Sequence, residues 1–189
     1  MLKKFIPTII KDSIYDIDYN KLYQDGKKYL LCDLDNTIIP YDVALADDRF
    51  RKLLKDIQNI GLKLIIVSNN HKKRVRKFSD DLNIKSFHDS LKPLKFGLRR
   101  ALKYIRNNDY PNKKIKDIKK YVITIGDQLM TDVFASSRIK LDSILVHPLK
   151  KKTEKWYTRF NRRMERMIIK KISKKYPTIY EELKEKHEY

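Results

Sequence analysis

The feature that most constrains the fold is a set of short apolar runs that end abruptly in polar residues. The first run, Tyr29–Cys32, has no polar alternation and stops at Asp33 and Asp35. An uninterrupted run of this length is typical of a strand buried on both faces of a parallel sheet. Ligands of open α/β sheets bind at the carboxyl ends of the strands, so these carboxylates are placed for chemistry rather than for folding.

The Asp-x-Asp spacing has a simple physical consequence. Alternate residues leaving a strand point the same way, so Asp33 and Asp35 can converge on one small volume, where their repulsion favours a hard cation such as Mg²⁺. The alternative is a solvated turn in which Asn36 and Thr37 act as capping residues. This pattern alone does not decide between the two.

Two further apolar runs repeat the arrangement. The run 62–67 ends in Ser68 and Asn69, and the run 121–125 leads into Gly126 and Asp127. Between them lies Lys92, directly followed by proline. Ser68 could cap the next helix, and the same hydroxyl with the helix-start N–H groups could bind phosphate.

The ordered set resembles the motifs of the haloacid dehalogenase-like phosphatases over roughly residues 28–148. The four motifs match, in order, Asp33-Leu-Asp35-Asn-Thr37, Ser68, Lys92, and Gly126-Asp127 through Asp132. The resemblance implies an α/β fold, namely a three-layer, doubly wound parallel sheet, and phosphomonoester hydrolysis through an aspartyl-phosphate.

The resemblance also implies a role for each matching residue. Asp33 would be the nucleophile and Asp35 the general acid and base, while Ser68, Asn69 and Lys92 would bind the phosphate. Mg²⁺ would be held by Asp33, the backbone carbonyl of Asp35, and Asp127. Asp132 and Thr37 would support the site. Lys95 is a rival for the catalytic lysine; Lys92 is preferred because the family places its lysine directly before proline in many members.

Helical and strand patterns alternate along the chain. Apolar residues three and four apart predict helices over 46–60, 71–82 and 94–105, the last burying Leu94, Leu98, Leu102 and Ile105. Short strands are predicted over 84–87 and 143–146, a helix around 132–137, and a solvated loop over 107–120. Near the start, residues 1–10 have helical spacing. They could lie on the core or on a membrane, and packing on the core is favoured. Residues 19–24 are expected to form a short helix closed by Gly26.

The spacing of the motifs leaves no room for an inserted cap domain. Only 32 residues separate Asp35 from Ser68, and 23 separate Ser68 from Lys92. The predicted helices and strands use most of both intervals. We therefore predict a capless enzyme whose open site suits a phosphate presented on something large or on a surface.

Length and charge limit the remaining possibilities. A chain of 189 residues is expected to form a single domain, and its 44 lysines and arginines against 24 acidic residues give a net charge of +20, which indicates an anionic partner. Its one cysteine, Cys32, excludes an internal disulfide and a cysteine-based zinc cluster. No apolar run approaches the roughly 20 residues that cross a bilayer, and a cytoplasmic location is expected.

Half of the excess charge lies in residues 150–175. This segment contains twelve basic and two acidic residues. Its apolar residues recur at helical spacing, which predicts a basic amphipathic helix over about 153–175. The helix could cover the sheet, or it could bind an anionic bilayer with Trp156 at the interface. Nucleic-acid binding is the least favoured of the three interpretations.

The order of motifs along the whole chain, together with the later sequence Thr158-Arg-Phe-Asn-Arg162, resembles the YqeG-like branch of the subfamily IIIA phosphatases. This branch is similar to the phosphatidylglycerophosphate phosphatases, which implies a lipid substrate at the inner face of the membrane. Two alternatives stay open. One is a phosphatase for soluble nucleotides, sugar phosphates or phosphoproteins, and the other is a nucleic-acid or ribosome-associated binding protein.

Overall fold

Six parallel strands form one sheet in the computed structural model of the protein. The structure describes residues 2–149 and 156–187, and within the second range it describes the side chains of 164 and 166–184. The strands are β1 (Ile9–Lys11), β2 (Tyr29–Cys32), β3 (Lys63–Val67), β4 (Lys85–Phe87), β5 (Val122–Gly126) and β6 (Asp142–Val146). Their order across the sheet is β1-β6-β5-β2-β3-β4.

The strand order contains one switch point, between β2 and β5. From β2 the chain adds β3 and β4 on one side, then returns to add β5 and β6 on the other. Cys32 pairs with Ile125 in register, so the residues that follow these two strands leave the sheet side by side. A switch point of this kind is where open α/β sheets form their binding crevice.

Helices cover both faces of the sheet. They are α1 (Tyr19–Gln24), α2 (Asp48–Ile60), α3 (Lys72–Asp81), α4 (Phe96–Asp109), α5 (Ile115–Ile118), α6 (Phe134–Arg138), α7 (Trp156–Lys175) and α8 (Pro177–His187). Helices α1 to α3 pack on one face and α4 to α6 on the other. The predicted three-layer, doubly wound α/β fold is therefore confirmed.

The central strands are apolar because they are covered on both sides. All four residues of β2 are buried: Leu30 and Cys32 contact the α1–α3 layer, and Tyr29 and Leu31 contact the α4–α6 layer. Helix α2 is bounded as its sequence predicts, with the Asp47 side chain accepting the N–H of Phe50 at 2.8 Å and Gly61 closing the helix at a φ of 95°.

Three predictions on local structure are wrong. Residues 1–10 do not form one helix: Leu2–Phe5 form a 3-10 turn, and Pro7 interrupts the helical spacing after it. Ile9 and Ile10 instead belong to the edge strand β1, because they pair with β6. The segment 107–120 is not a solvated loop, since it carries the end of α4 and all of α5, with Ile118 fully buried. Leu94 precedes α4 and is exposed, although Leu98, Leu102 and Ile105 form the predicted buried stripe.

The C-terminal helices pack beside the edge of the sheet. Ile168, Ile169 and Ile172 of α7 and Leu183 of α8 are buried in a cluster with Phe5, Ile10 and Leu145. This half of the basic helix therefore covers the protein body, as one of its two favoured interpretations predicts. Residues 150–155 lie outside the described part of the chain, as do the side chains of Trp156, Arg162 and Arg163. Within the described residues, no helix is long and apolar enough to cross a membrane.

The chain between the strands consists of helices and short connections. The longest connection at the carboxyl edge of the sheet, residues 33–47, leads directly from β2 to α2. Within residues 2–149 no further domain is inserted next to it, as the motif spacing predicts. Within the described residues, the connections at the carboxyl edge therefore carry no additional domain over it.

Candidate active site

Three strands deliver polar side chains to the switch point. Asp33 follows β2, Ser68 follows β3 and Asp127 follows β5, all at the carboxyl edge. The N–H of Asp33 donates to the Ile125 carbonyl at 2.9 Å, which continues the β2–β5 pairing up to the site. Ser68 and Asp127 are almost completely buried. The geometry therefore brings the predicted first, second and fourth motifs together.

Lys92 joins two of the carboxylates. Its Nζ lies 2.6 Å from Oδ1 of Asp33 and 2.6 Å from Oδ1 of Asp132. The side chains are 4%, 12% and 6% exposed for Lys92, Asp33 and Asp132. Of the two candidate lysines, Lys92 therefore contacts the cluster. Lys95 stands at the start of α4, and its side chain makes no capping hydrogen bond there.

Burial and charge act against each other in this cluster. Burial raises the pKa of Asp33 to about 7, with Asp132 adding to the rise and Lys92 opposing it. For Lys92, burial lowers the pKa, but the two carboxylates outweigh that effect and hold it above its ordinary value. A charged lysine therefore faces a nucleophile candidate that titrates near neutrality.

Asn69 fixes the position of Lys92. Its side-chain Oδ1 accepts the Lys92 N–H at 2.7 Å, and its Nδ2 donates to the Lys92 carbonyl at 2.9 Å. Sequence analysis assigned Asn69 to phosphate binding, and that role stays a prediction. These two hydrogen bonds join the segment after β3 to the Lys92-Pro93 segment, and we call this pair of contacts a clamp.

Asp132 is held by its own turn and by a close approach to the sheet. Its Oδ2 accepts the N–H of Gln128 and the hydroxyl of Thr131, each at 3.2 Å. A Cβ on Gly126 would come within 2.2 Å of the Asp132 Cγ, so only glycine fits at the end of β5. The glycine of the fourth motif thereby lets the carboxylate reach Lys92.

The buried carboxylates form a group that suits a divalent metal ion. Asp33, Asp127 and Asp132 each offer one oxygen, and these oxygens lie within 4.8 Å of one another. The Thr37 hydroxyl donates to Oδ1 of Asp127 at 3.4 Å, and its supporting role stays a prediction. An all-oxygen, anionic set fits Mg²⁺, which takes oxygen ligands and few of them from protein.

The Asp35 side chain is not part of this group and pairs with an arginine. Its Oδ1 accepts from Nη2 of Arg74 at 2.9 Å and from Nε at 3.2 Å, and its Oδ2 accepts from Asn70 at 3.0 Å. The Asp35 side chain is thus fixed beside the metal-type cluster without being part of it. Metal binding through the Asp35 backbone carbonyl stays a prediction.

Sequence analysis missed Arg74. It stands in the first turn of α3, where Lys72, Lys73 and Arg74 place positive charge against the positive end of the helix dipole. Three basic residues and no acidic residue in the first turn are unfavourable for an isolated helix. This pattern could have indicated that one of them pairs with an acidic residue elsewhere in the chain. The N-cap of α3 is His71, whose ring accepts the N–H of Arg74, so Ser68 does not cap this helix. The Ser68 hydroxyl instead accepts the N–H of Asn70 at 3.1 Å.

The sequence is similar to known proteins over most of its length. Residues 30–187 match the family described as haloacid dehalogenase-like hydrolase. A protein of Bacillus subtilis (strain 168) named "Probable phosphatase YqeG" is 35% identical over 176 residues, which cover 93% of this chain and 96% of that protein. Both matches include the segments that carry Asp33, Lys92 and Asp132.

Solved structures resemble the fold at low sequence identity. A protein from Listeria monocytogenes serotype 4b, described as uncharacterized, has a TM-score of 0.49 at 12% identity and covers 68% of this chain and 85% of its own. The 3-deoxy-D-manno-octulosonate 8-phosphate phosphatase of Moraxella catarrhalis, solved with magnesium, phosphate and KDO, has a TM-score of 0.44 at 14% identity, covering 68% and 83%.

Proposed function

Because the chain belongs to the haloacid dehalogenase-like hydrolases, we propose that it is a phosphomonoester phosphatase that carries the phosphoryl group on Asp33. The observation that carries this proposal is the contact of Lys92 with Asp33 and Asp132 at 2.6 Å inside a buried carboxylate cluster. A buried lysine between carboxylates contributes little to folding compared with an apolar core, so chemistry is the better reason for it. We assign the catalytic unit to residues 28–148 within a single domain.

In the first step, a carboxylate oxygen of Asp33 attacks the phosphorus atom. The bond from phosphorus to the ester oxygen breaks, and Asp35 gives its proton to that leaving oxygen. The paired contacts from Arg74 and Asn70 hold the Asp35 side chain in one orientation. Arg74 is therefore proposed as a positioning residue for the general acid.

In the second step, Asp35 takes a proton from water as the water oxygen attacks phosphorus. The bond between phosphorus and the Asp33 oxygen breaks, which releases phosphate and restores the carboxylate. Lys92 and Ser68 face the phosphoryl oxygens, where negative charge spreads as each bond breaks. Asn69 is proposed to act on the same oxygens through the Lys92 segment that it clamps.

The carboxylate cluster is proposed to hold Mg²⁺ through Asp33, Asp127 and the backbone carbonyl of Asp35, with Asp132 and Thr37 in support. The ion supplies positive charge that offsets the repulsion between an anionic nucleophile and an anionic phosphate. The three carboxylate oxygens within 4.8 Å support this assignment. Lys92 alone leaves the cluster with excess negative charge, which favours a cation.

For the substrate, we propose phosphatidylglycerophosphate, converted to phosphatidylglycerol at the membrane surface. Two observations support a lipid phosphate. The carboxyl edge has no cap domain within the described residues, and the whole chain carries a net charge of +20, which attracts it to anionic lipid. In this proposal the protein binds the membrane surface peripherally.

A substrate panel tests this function. Phosphate release would be measured with Mg²⁺ from phosphatidylglycerophosphate in mixed micelles, and from nucleotides, sugar phosphates and a phosphopeptide. Asp33→Asn serves as the blank, and Asp142→Asn serves as a matched control because it makes the same change at the opposite end of the sheet. We expect Mg²⁺-dependent release with a preference for the lipid. Activity on the soluble compounds alone would overturn the lipid substrate, and no release from any compound would overturn the phosphatase.

A further inference from the structure

Exposed apolar side chains are concentrated around the candidate active site. Among the described side chains, nine large hydrophobic residues are exposed. Six of them lie on the segments that follow β2, β4 and β6, which we call the apolar rim: Val43, Leu45, Leu91, Leu94, Phe96 and Leu149. Parallel strands end at one edge of the sheet, so the apolar rim lies at the edge that holds Asp33.

The segment around Lys92 contributes the most exposed members. Leu91, Leu94 and Phe96 are 56%, 53% and 56% exposed, although Lys92 between them is buried. The Leu94 N–H donates to the Leu91 carbonyl at 2.7 Å, and Arg138 donates to the Pro93 carbonyl at 2.9 Å, so the turn is fixed. The same turn thus directs its lysine inward and its leucines outward.

Leu91 also has an unfavourable backbone conformation. Its φ is 53°, in the left-handed region that a leucine rarely adopts. An exposed leucine in this conformation improves neither the packing nor the backbone energy of the folded protein. Strained residues of this kind cluster at functional sites, where another requirement maintains them.

Two other members of the apolar rim, Val43 and Leu149, make backbone contacts near the same site. Val43 donates its N–H to the Pro40 carbonyl at 3.0 Å, and that carbonyl also accepts from Arg74, the partner of Asp35. Leu149 donates its N–H to the carbonyl of Asn36 at 3.0 Å. Val43 and Leu149 are therefore anchored on the segment that follows Asp33 and Asp35.

Helix α7 is the other candidate for lipid binding, but most of its described apolar side chains are already buried against the protein body. Ile168, Ile169 and Ile172 are buried against the protein body, and Met167 is the exposed exception. In the described part of the chain, the apolar rim offers more free apolar surface than α7 does.

Resting on the phosphatase function proposed above, we propose that the apolar rim inserts into the surface of an anionic phospholipid bilayer and so presents lipid head-group phosphates to Asp33. Exposed apolar side chains beside a polar, phosphate-binding reaction centre fit a molecule that joins a phosphate to acyl chains. The net charge of +20 brings the protein to an anionic surface. In sequence, Asp42, Asp47, Asp48 and Asp89 lie within a few residues of the rim, and Lys95 stands between Leu94 and Phe96. Attraction over distance then comes from the whole chain, and attachment comes from the apolar rim.

Vesicle binding tests this proposal. Sedimentation with vesicles of equal parts phosphatidylglycerol and phosphatidylcholine would compare the native chain with the triple variant Leu91→Ser, Leu94→Ser, Phe96→Ser. Burial of a large apolar side chain is worth about tenfold in affinity, so the triple variant should bind at least tenfold more weakly. The double variant Ile115→Ser, Met167→Ser makes matched changes away from the rim and should bind as the native chain does.

Two further measurements separate the possible outcomes. The ratio of turnover on lipid micelles to turnover on p-nitrophenyl phosphate should fall at least tenfold in the triple variant. If that variant does not fold, Val43→Ser with Leu45→Ser takes its place. Unchanged vesicle binding, or a native dimer that the triple variant converts to monomers, would overturn the proposal. Because Asp33→Asn retains the apolar rim, its vesicle binding tests the proposal even if the phosphatase function fails.

Discussion

The two ends of the sheet use charged residues in opposite ways. At the carboxyl edge, Lys92 is buried between Asp33 and Asp132. At the amino edge, Lys63 pairs with Asp109 on the surface. Exposed pairs are screened by water and contribute little to stability, whereas a buried cluster costs free energy to assemble. A protein retains the second kind where its chemistry requires it, and this difference is why we propose the active site at the carboxyl edge.

The largest predicted effect comes from replacing one aspartate by asparagine at each edge of the sheet. Asp33→Asn removes the proposed nucleophile and should lower turnover by about a thousandfold or more. Asp142→Asn, at the start of β6, should stay within about twofold of the native rate. The check is the steady-state release of phosphate from p-nitrophenyl phosphate. Equal losses in both variants would remove the functional distinction between the edges.

Replacing one lysine at each edge should give the next largest difference. Lys92→Met takes a cation away from the phosphoryl oxygens and leaves Asp33 and Asp132 without their shared partner, so turnover should fall about a hundredfold or more. Lys63→Met should leave turnover close to native. In urea unfolding, we expect a loss of roughly 3 kcal/mol for Lys92→Met and less than about 1 kcal/mol for Lys63→Met. Similar stability losses would contradict the contrast.

Asp127→Asn tests the metal assignment at the carboxyl edge. The change removes one anionic ligand from the cluster, so the Mg²⁺ concentration for half-maximal activity should rise about tenfold or more. A titration of activity with Mg²⁺ measures it, with Asp109→Asn as the amino-edge control. An unaltered Mg²⁺ dependence would place the ion elsewhere.

Arg74→Gln should have a smaller effect on the rate. Loss of the guanidinium leaves Asn70 as the remaining described partner of the Asp35 side chain, and turnover should fall about tenfold. The loss should be greater for an alkyl phosphate than for p-nitrophenyl phosphate, because the nitrophenolate leaves without a proton. An equal loss on both esters would remove the positioning role.

The pH dependence of stability should show the burial of Asp33. Its pKa in the folded protein is raised to about 7, while the unfolded value is about 4. The folded state therefore binds more protons between these values, and in EDTA this group's contribution to stability should fall as pH rises from about 4 to 7, by roughly 4 kcal/mol at most. Urea unfolding at several pH values measures it. Asp33→Asn should lack this component, and an identical pH slope in both proteins would refute it.

The sequence predicts the parts of the molecule that depend on local pattern. Asp33 and Asp127 follow uninterrupted apolar runs, and strands of that kind end at the same edge of a parallel sheet. Gly61 and Asp47 similarly mark the ends of α2. In each case a few consecutive residues determine the outcome.

The parts that were missed depend on contacts between distant segments. Arg74 reaches Asp35 across 39 positions of sequence, and no local pattern specifies that pair. Ile9 and Ile10 form a strand only because β6 lies beside them. The exposure of Leu94 follows from the turn that positions Lys92. Helix α8 was not predicted, because its apolar contacts come from the protein body rather than from its own spacing.

Phosphorylation of Asp33 is the step on which the proposed mechanism depends, and trapping the phosphorylated protein tests it most directly. Asp35→Asn would be mixed with p-nitrophenyl phosphate and Mg²⁺ and quenched in acid, and its peptides would be examined by mass spectrometry. The nitrophenolate leaves without a proton, so the variant should complete the first step and stall in the second. We predict one phosphoryl group on Asp33 and none in Asp33→Asn, Asp35→Asn. Release of nitrophenolate with no phosphorylated peptide, or with the phosphoryl group on another residue, would contradict the mechanism.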